Sequence, residues 1–258
     1  MKNYFETESR VDASKTDTMF SLSVIGALEL IEDAETMHTD EMHVDAPTMR
    51  KIDNAFWVIT RNFLHFYKAP VWQEKIIVGT YPLAPSVLRC ERQNYIKDEK
   101  GNLLISGKTE WCVLDGDSRK PRKIASLACY PKDMEYKTER VCYSSPSAKP
   151  PVFTDADLKF SRKAKYSDLD FNHHINNAKY VNFIFDCYPS SFWESVTLRD
   201  VEIDYLHECR EGETMSVYSA IEQNTLFFIG KTPDRSVFSA VVTIEEKNQS
   251  APEISGNK

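Results

Sequence analysis

Three side chains suited to proton transfer and carbonyl polarisation fall at alternate positions in one polar run. Asp170, Asn172 and His174 lie within 166–180, just ahead of an apolar helical pattern. A histidine can accept a proton near neutral pH, a carboxylate can orient it, and an amide can donate to an oxyanion or hold water. Further on, Tyr205-Leu206-His207-Glu208-Cys209 offers a carboxylate and a thiol from a strand end. Glu208 would work through a water molecule, whereas Cys209 would attack as a thiolate. Neighbours on an extended strand point to opposite faces, so one of the two enters the site unless a bulge intervenes. A nucleophilic thiol also needs a depressed pKa, which an adjacent carboxylate opposes. The balance favours Glu208 with water. Backbone N–H groups around 173–176 are expected to add oxyanion donors at the helix start. Asp168 suits a cap, Asn176 and Asn177 suit ties between the turn and a sheet, and His207 should face away from Glu208.

The elements that must carry these groups occur twice. In the first half a helical stripe covers 20–37, with Val24, Leu28 and Ile31 aligned and Ile25 beside them. Strand patterns follow at 56–67, 74–81, 87–97 and 103–114, with a hairpin turn at 98–102. In the second half a helix is predicted over 175–185 and strands over 195–205, 214–223, 226–232 and 236–245. Three prolines in the polar stretch 144–151 read as a linker.

Arg61-Asn-Phe-Leu-His-Phe-Tyr67 aligns with Arg199-Asp-Val-Glu-Ile-Asp-Tyr205 at a spacing of 138 residues (61 to 199, 67 to 205). At that spacing Glu208 and Cys209 fall opposite Pro70 and Val71. The run 170–174 falls roughly opposite 17–21, which holds no imidazole and no amide. The C-terminal half is thus expected to do the chemistry while the N-terminal half shapes a pocket.

Composition narrows the class. At 41% hydrophobic and 28% charged, the 258 residues suit a globular protein with a sizeable core. A net charge of -7 argues against a nucleic-acid binder. No apolar run approaches a membrane span, and the start lacks a signal core or transit-peptide character, so a cytoplasmic protein without membrane insertion is expected. Six scattered cysteines contain no Cys-x-x-Cys pair, and His38, His43 and His65 lack metal-ligand spacing. No cofactor and no metal are expected.

Ser167 through Tyr180 match, at every fixed position, the pattern Ser-Asp-Leu-Asp-x-Asn-x-His-[Val/Ile]-Asn-Asn-x-x-Tyr. Together with Glu208-Cys209, Trp57-Val-Ile-Thr-Arg61 and Pro70-Val-Trp72-Gln-Glu74, this resembles the acyl-acyl carrier protein thioesterases of the FatA/FatB type. His173 departs mildly from the family, which often has glutamine there. The resemblance implies an α+β fold, a tandem hot-dog of two helix-wrapped antiparallel sheets. Its expected parts are an N-terminal hot-dog (1–140), a linker (141–153), a catalytic C-terminal hot-dog (154–248) and a tail (249–258). It implies hydrolysis of fatty acyl-acyl carrier protein, with Asp170, Asn172 and His174 catalytic beside Glu208 or Cys209. Phe20, Val24, Ile25 and Leu28 are expected to line the acyl pocket. The partner would be acyl carrier protein bearing an acyl-phosphopantetheine, docking on basic clusters at 159–165 or 119–123, and a homodimer stays open. An acyl-CoA thioesterase, a dehydratase of related fold and a non-catalytic acyl-binding module remain the alternatives.

Overall fold

The computed structural model describes residues 2–143 and 148–247. Part of the expected linker (144–147) and the expected tail (249–258) lie outside the described residues.

The N-terminal half contributes β1 (Phe5–Arg10), α1 (Val24–Glu41), α2 (Ala46–Asp53), β2 (Ala55–Phe66), β3 (Lys75–Pro82), β4 (Arg89–Asp98) and β5 (Leu103–Asp115). The C-terminal half contributes β6 (Leu158–Lys163), α3 (Tyr180–Phe185), α4 (Ser190–Ser195), β7 (Val196–Tyr205), β8 (Thr214–Glu222), β9 (Thr225–Lys231) and β10 (Ser236–Glu246). All ten strands form one antiparallel sheet in the order β1-β3-β4-β5-β2-β7-β10-β9-β8-β6. The two helix-wrapped sheets expected from the sequence are therefore joined edge to edge through β2 and β7. The eight predicted strands match to within two residues at each end. Four elements went unpredicted: β1, β6, α2 and α4. The strands β1 and β6 are short edge strands with many charged residues and little apolar alternation.

Sequence explains where α1 begins. Ser23 caps it, its side chain accepting from Gly26 N at 3.1 Å. Phe20 has φ +58° and cannot be helical, so the helix starts later than the apolar stripe suggested. Val24, Ala27, Leu28, Ile31 and Ala34 are buried and pack into a core shared by both halves. In the C-terminal half that core includes Phe183, Phe228 and Phe238, each worth about 1.5–3 kcal/mol of burial. Helix formation there is delayed: only a 3-10 turn, Asn177–Lys179, precedes α3.

At the junction, Arg61 pairs with Asp204 and His65 with Asp200 in the β2–β7 register. Arg61 Nε lies 2.5 Å from Asp204 and 3.3 Å from Glu202, and His65 Nδ1 lies 2.7 Å from Asp200. On the other face Leu64, Val201 and Ile203 are buried in the shared core.

The internal repeat is closer than the sequence alignment indicated, and its spacing differs. Asp17 N bonds Ser21 O as Asp170 N bonds His174 O, and Ser23 N bonds Lys15 O as Asn176 N bonds Asp168 O. Both pairs are displaced by 153 residues (17 to 170, 23 to 176). Leu22 N bonds Pro70 O as Ile175 N bonds Cys209 O, a displacement of 139 from 70 to 209. This corrects the spacing of 138 by one residue: Cys209 is the counterpart of Pro70, and Glu208 that of Ala69. No helix among the described residues is long and apolar enough to cross a membrane.

Candidate active site

A tight loop presents the C-terminal polar run. An isolated antiparallel bridge joins Leu169 to Ile175, and His173 turns the chain with φ +64°. Asp170 Oδ1 accepts the backbone N–H of Asn172 at 2.8 Å, and its Oδ2 lies 3.4 Å from the Asn172 amide nitrogen. A second bridge pairs His174 with Arg210, and Ile175 N bonds Cys209 O at 2.8 Å. These bonds fasten the loop to the chain leaving β7, which brings His174 and Glu208 together. Tyr205 adds a further tie, its hydroxyl donating to Asn177 O at 3.1 Å and accepting from Asn62 Nδ2 at 3.1 Å. Asn176 Oδ1 accepts Ala178 N, so the Asn176 side chain caps the turn.

His174 is flanked by two carboxylates. Its Nδ1 lies 3.7 Å from Asp170 Oδ1, and its Nε2 lies 3.7 Å from Glu208 Oε1. Glu208 also forms an ion pair with Arg119 of the N-terminal half and lies 3.7 Å from Arg210. The Arg119 guanidinium sits over the Phe56 ring at 4.6 Å. Arg119 belongs to the turn after β5, and its sequence neighbourhood suggested only a surface cluster.

Cys209 goes the other way. It is fully buried in the shared core, and burial chiefly pushes its thiol up to about 11. Alternation of side chains past the end of β7 places it away from Glu208. Cys209 therefore does not line the cavity that Glu208 lines.

Three of the four expected backbone oxyanion donors at 173–176 are spent. His173 N bonds Asp170 O, Ile175 N bonds Cys209 O, and Asn176 N bonds Asp168 O. Asp168 is held by Arg162 through contacts of 2.7 and 3.0 Å, which keep its carboxyl below the usual range. Both basic clusters are thereby partly consumed: Arg162 also lies over the Phe183 ring, and Arg122 pairs with Asp53.

Asp170, Asn172, His174 and Glu208 all line one cavity of about 1620 Å³ that runs into the N-terminal half. Its wall there is built by α1, α2 and the strands β2, β4 and β5, with Trp57, Ile59 and Leu114 among the apolar contributors. None of the four predicted pocket residues lines it. Val24 and Leu28 face the shared core, Ile25 packs against that core, and Phe20 is exposed beside Trp72. The cavity takes the later turns of α1 instead, at Glu32, Glu35, Thr36 and Thr39. Those four polar residues fall at helical spacing in the sequence, further along α1 than the apolar stripe.

Counterparts in the N-terminal half separate scaffold from chemistry. Asp17 Oδ1 accepts Met19 N at 2.8 Å, as Asp170 does for Asn172, so the aspartate builds this turn in both halves. Met19, Ser21 and Ala69 stand where the C-terminal half has Asn172, His174 and Glu208.

Comparison with known proteins gives a consistent result. The family model described as "Acyl-ACP thioesterase N-terminal domain" matches residues 2–130, and "Acyl-ACP thioesterase C-terminal domain" matches 154–251. Acyl-[acyl-carrier-protein] hydrolase FATB3, chloroplastic, of Cuphea viscosissima is 25% identical over 210 residues, covering 77% of this chain and 47% of that protein. The chain spans about half the length of the curated relatives it matches. An acyl-ACP thioesterase structure from Bacteroides thetaiotaomicron superposes with a TM-score of 0.79 at 20% identity, covering 94% of this chain and 98% of that one. The 12:0-ACP thioesterase from Umbellularia californica gives 0.82 at 16% identity, covering 96% and 99%. These structures share the double hot-dog fold.

Proposed function

The chain belongs to the acyl-ACP thioesterase family, and we propose that it hydrolyses fatty acyl-acyl carrier protein, releasing the free acid and ending chain elongation in fatty acid biosynthesis. The observation that carries this reading is His174 held 3.7 Å from both Asp170 and Glu208 at one wall of a large cavity. Asp170 orients the imidazole through Nδ1, leaving Nε2 to face Glu208. One water molecule can hydrogen-bond to Nε2 and the Glu208 carboxylate together. His174 takes the proton as the water oxygen attacks the thioester carbonyl. The Asn172 amide, fixed by Asp170, donates to the oxyanion. Collapse breaks the C–S bond, and the pantetheine sulfur leaves as a thiol after receiving the proton from His174.

The acyl-phosphopantetheine arm of the carrier would enter beside Phe171, which is 81% exposed, and past Arg50, Arg119 and Arg210, which also line the cavity. Cationic groups there suit an acidic carrier and its phosphate. The β2–β7 junction supplies within one chain the pairing that single hot-dog units obtain from a partner, so one chain makes a complete unit without requiring a homodimer. The six cysteines are all free, in keeping with a reducing cytoplasm.

The test is product detection by mass spectrometry with acyl carrier protein and CoA thioesters of one acyl chain. Free fatty acid should appear faster from the carrier. Release from CoA alone would assign the chain to acyl-CoA hydrolysis, and no release from either would remove the hydrolytic reading.

A further inference from the structure

Along α1 the wall of the cavity is polar. Glu32, Glu35, Thr36 and Thr39 form one stripe along α1 and all line the cavity, facing Arg92 and Trp111 on the sheet. Glu35 is only 1% exposed, accepts from Asn94 Nδ2 at 2.9 Å and lies 3.8 Å from Arg92. Glu32 Oε1 and Glu35 Oε2 are both buried with no hydrogen-bond partner, and the Glu32 carboxyl is near enough to Asp170 for their charges to repel. Burial, reinforced by Glu35, Asp33 and Glu29 and least by Asp170, raises the Glu32 pKa to about 8, so at neutral pH it can both donate and accept.

A saturated acyl chain gains from apolar walls and would leave these groups stranded, since an unmet buried polar atom is costly. The opposite wall, with Trp57, Ile59 and Leu114, does suit a hydrocarbon. We propose, building on the thioesterase reading, that the acyl group carries a hydroxyl or oxo oxygen near its thioester end, hydrogen-bonded by Glu32 on the polar wall of α1. The specificity determinant is then a hydrogen bond, a stronger discriminator than chain length, because the analogue lacking the oxygen leaves Glu32 unpaired.

The experiment compares 3-hydroxyacyl and saturated acyl carrier protein thioesters of equal chain length, using the full chain and the variants Glu32→Leu and Glu32→Gln. The expected result is a kcat/KM at least tenfold higher for the hydroxyacyl substrate. Glu32→Leu brings the ratio to about one, and Glu32→Gln, which keeps a donor and an acceptor, retains most of it. A wild-type preference for the saturated chain, or a Leu variant with the wild-type ratio, overturns the inference while leaving the thioesterase reading standing. Failure to hydrolyse either substrate overturns both.

Discussion

Arg119, carried by the N-terminal half, is ion-paired with Glu208 of the C-terminal half, directly beside His174. The pair ties Glu208 to the N-terminal half while its carboxylate lies 3.7 Å from His174 Nε2. Arg119→Met should lower kcat about tenfold, with Arg119→Lys recovering part of it. A half-exposed ion pair contributes only ~0–1 kcal/mol, so the melting temperature should barely move. Unchanged kcat in the Met variant would remove Arg119 from the site.

Loss of the imidazole or of the amide should act on turnover and leave the fold intact. His174→Ala and Asn172→Ala are each expected to cut kcat by about 10²-fold or more, the scale of a general base or an oxyanion donor. Asn172 is exposed and His174 only partly buried, so thermal melting should stay near that of the wild type. A variant that unfolds, or one that turns over normally, would make the residue structural.

The candidate motif was legible because its groups are local. Asp170, Asn172 and His174 sit in one loop; alternation beyond β7 admitted only one of Glu208 and Cys209, and the opposition of an adjacent carboxylate to a thiolate favoured Glu208. The strands were legible for a similar reason, through the apolar alternation of β2 to β5 and β7 to β10. What was lost depends on contacts distant in sequence. Arg119 reaches Glu208 across 89 positions, and nothing near residue 119 announces it. Phe20, Val24, Ile25 and Leu28 were chosen for being apolar, and that property sent Val24 and Leu28 to the core. The spacing of the repeat slipped by one residue because side-chain types in β2 and β7 align at 138, whereas the loop hydrogen bonds repeat at 139.

The junction between halves can be probed at Arg61, which stands 2.5 Å from Asp204, 3.3 Å from Glu202 and 3.9 Å from Glu110. Arg61→Leu leaves these three carboxylates close together without the guanidinium between them. The expected cost is about 2 kcal/mol, below the full value for a buried pair because Arg61 is partly exposed. That corresponds to a fall of roughly 4–8 °C in melting temperature. An unchanged melting curve would show that β2–β7 backbone pairing and the apolar core hold the halves together without it.

Stability should depend on pH through Glu32. Burial chiefly raises its carboxyl from the ordinary 4.5 to about 8, so the folded state binds this proton more tightly than the unfolded chain. Below pH 4.5 the acid is protonated in both states and its contribution is fully present. It is lost as pH rises towards 8 and is constant above that. Glu32→Gln removes the effect, so the variant's melting temperature relative to wild type should climb steadily from pH 5 to pH 8. His38, lowered to about 4 by burial and by Arg92, has the opposite sign but is common to both proteins and cancels. A difference that stays flat across this range would contradict the assignment.

The most direct test compares kcat/KM for Glu208→Gln and Cys209→Ala on one acyl carrier substrate. Glu208 lines the cavity beside His174, whereas Cys209 is buried in the core with its thiol raised to about 11. The water mechanism predicts a loss of about 10²-fold or more for Glu208→Gln. For Cys209→Ala it predicts activity within a few-fold of wild type, with only a lower melting temperature from the small core cavity. An inactive, folded Cys209→Ala variant, or an acyl group trapped on Cys209 by mass spectrometry, would contradict it.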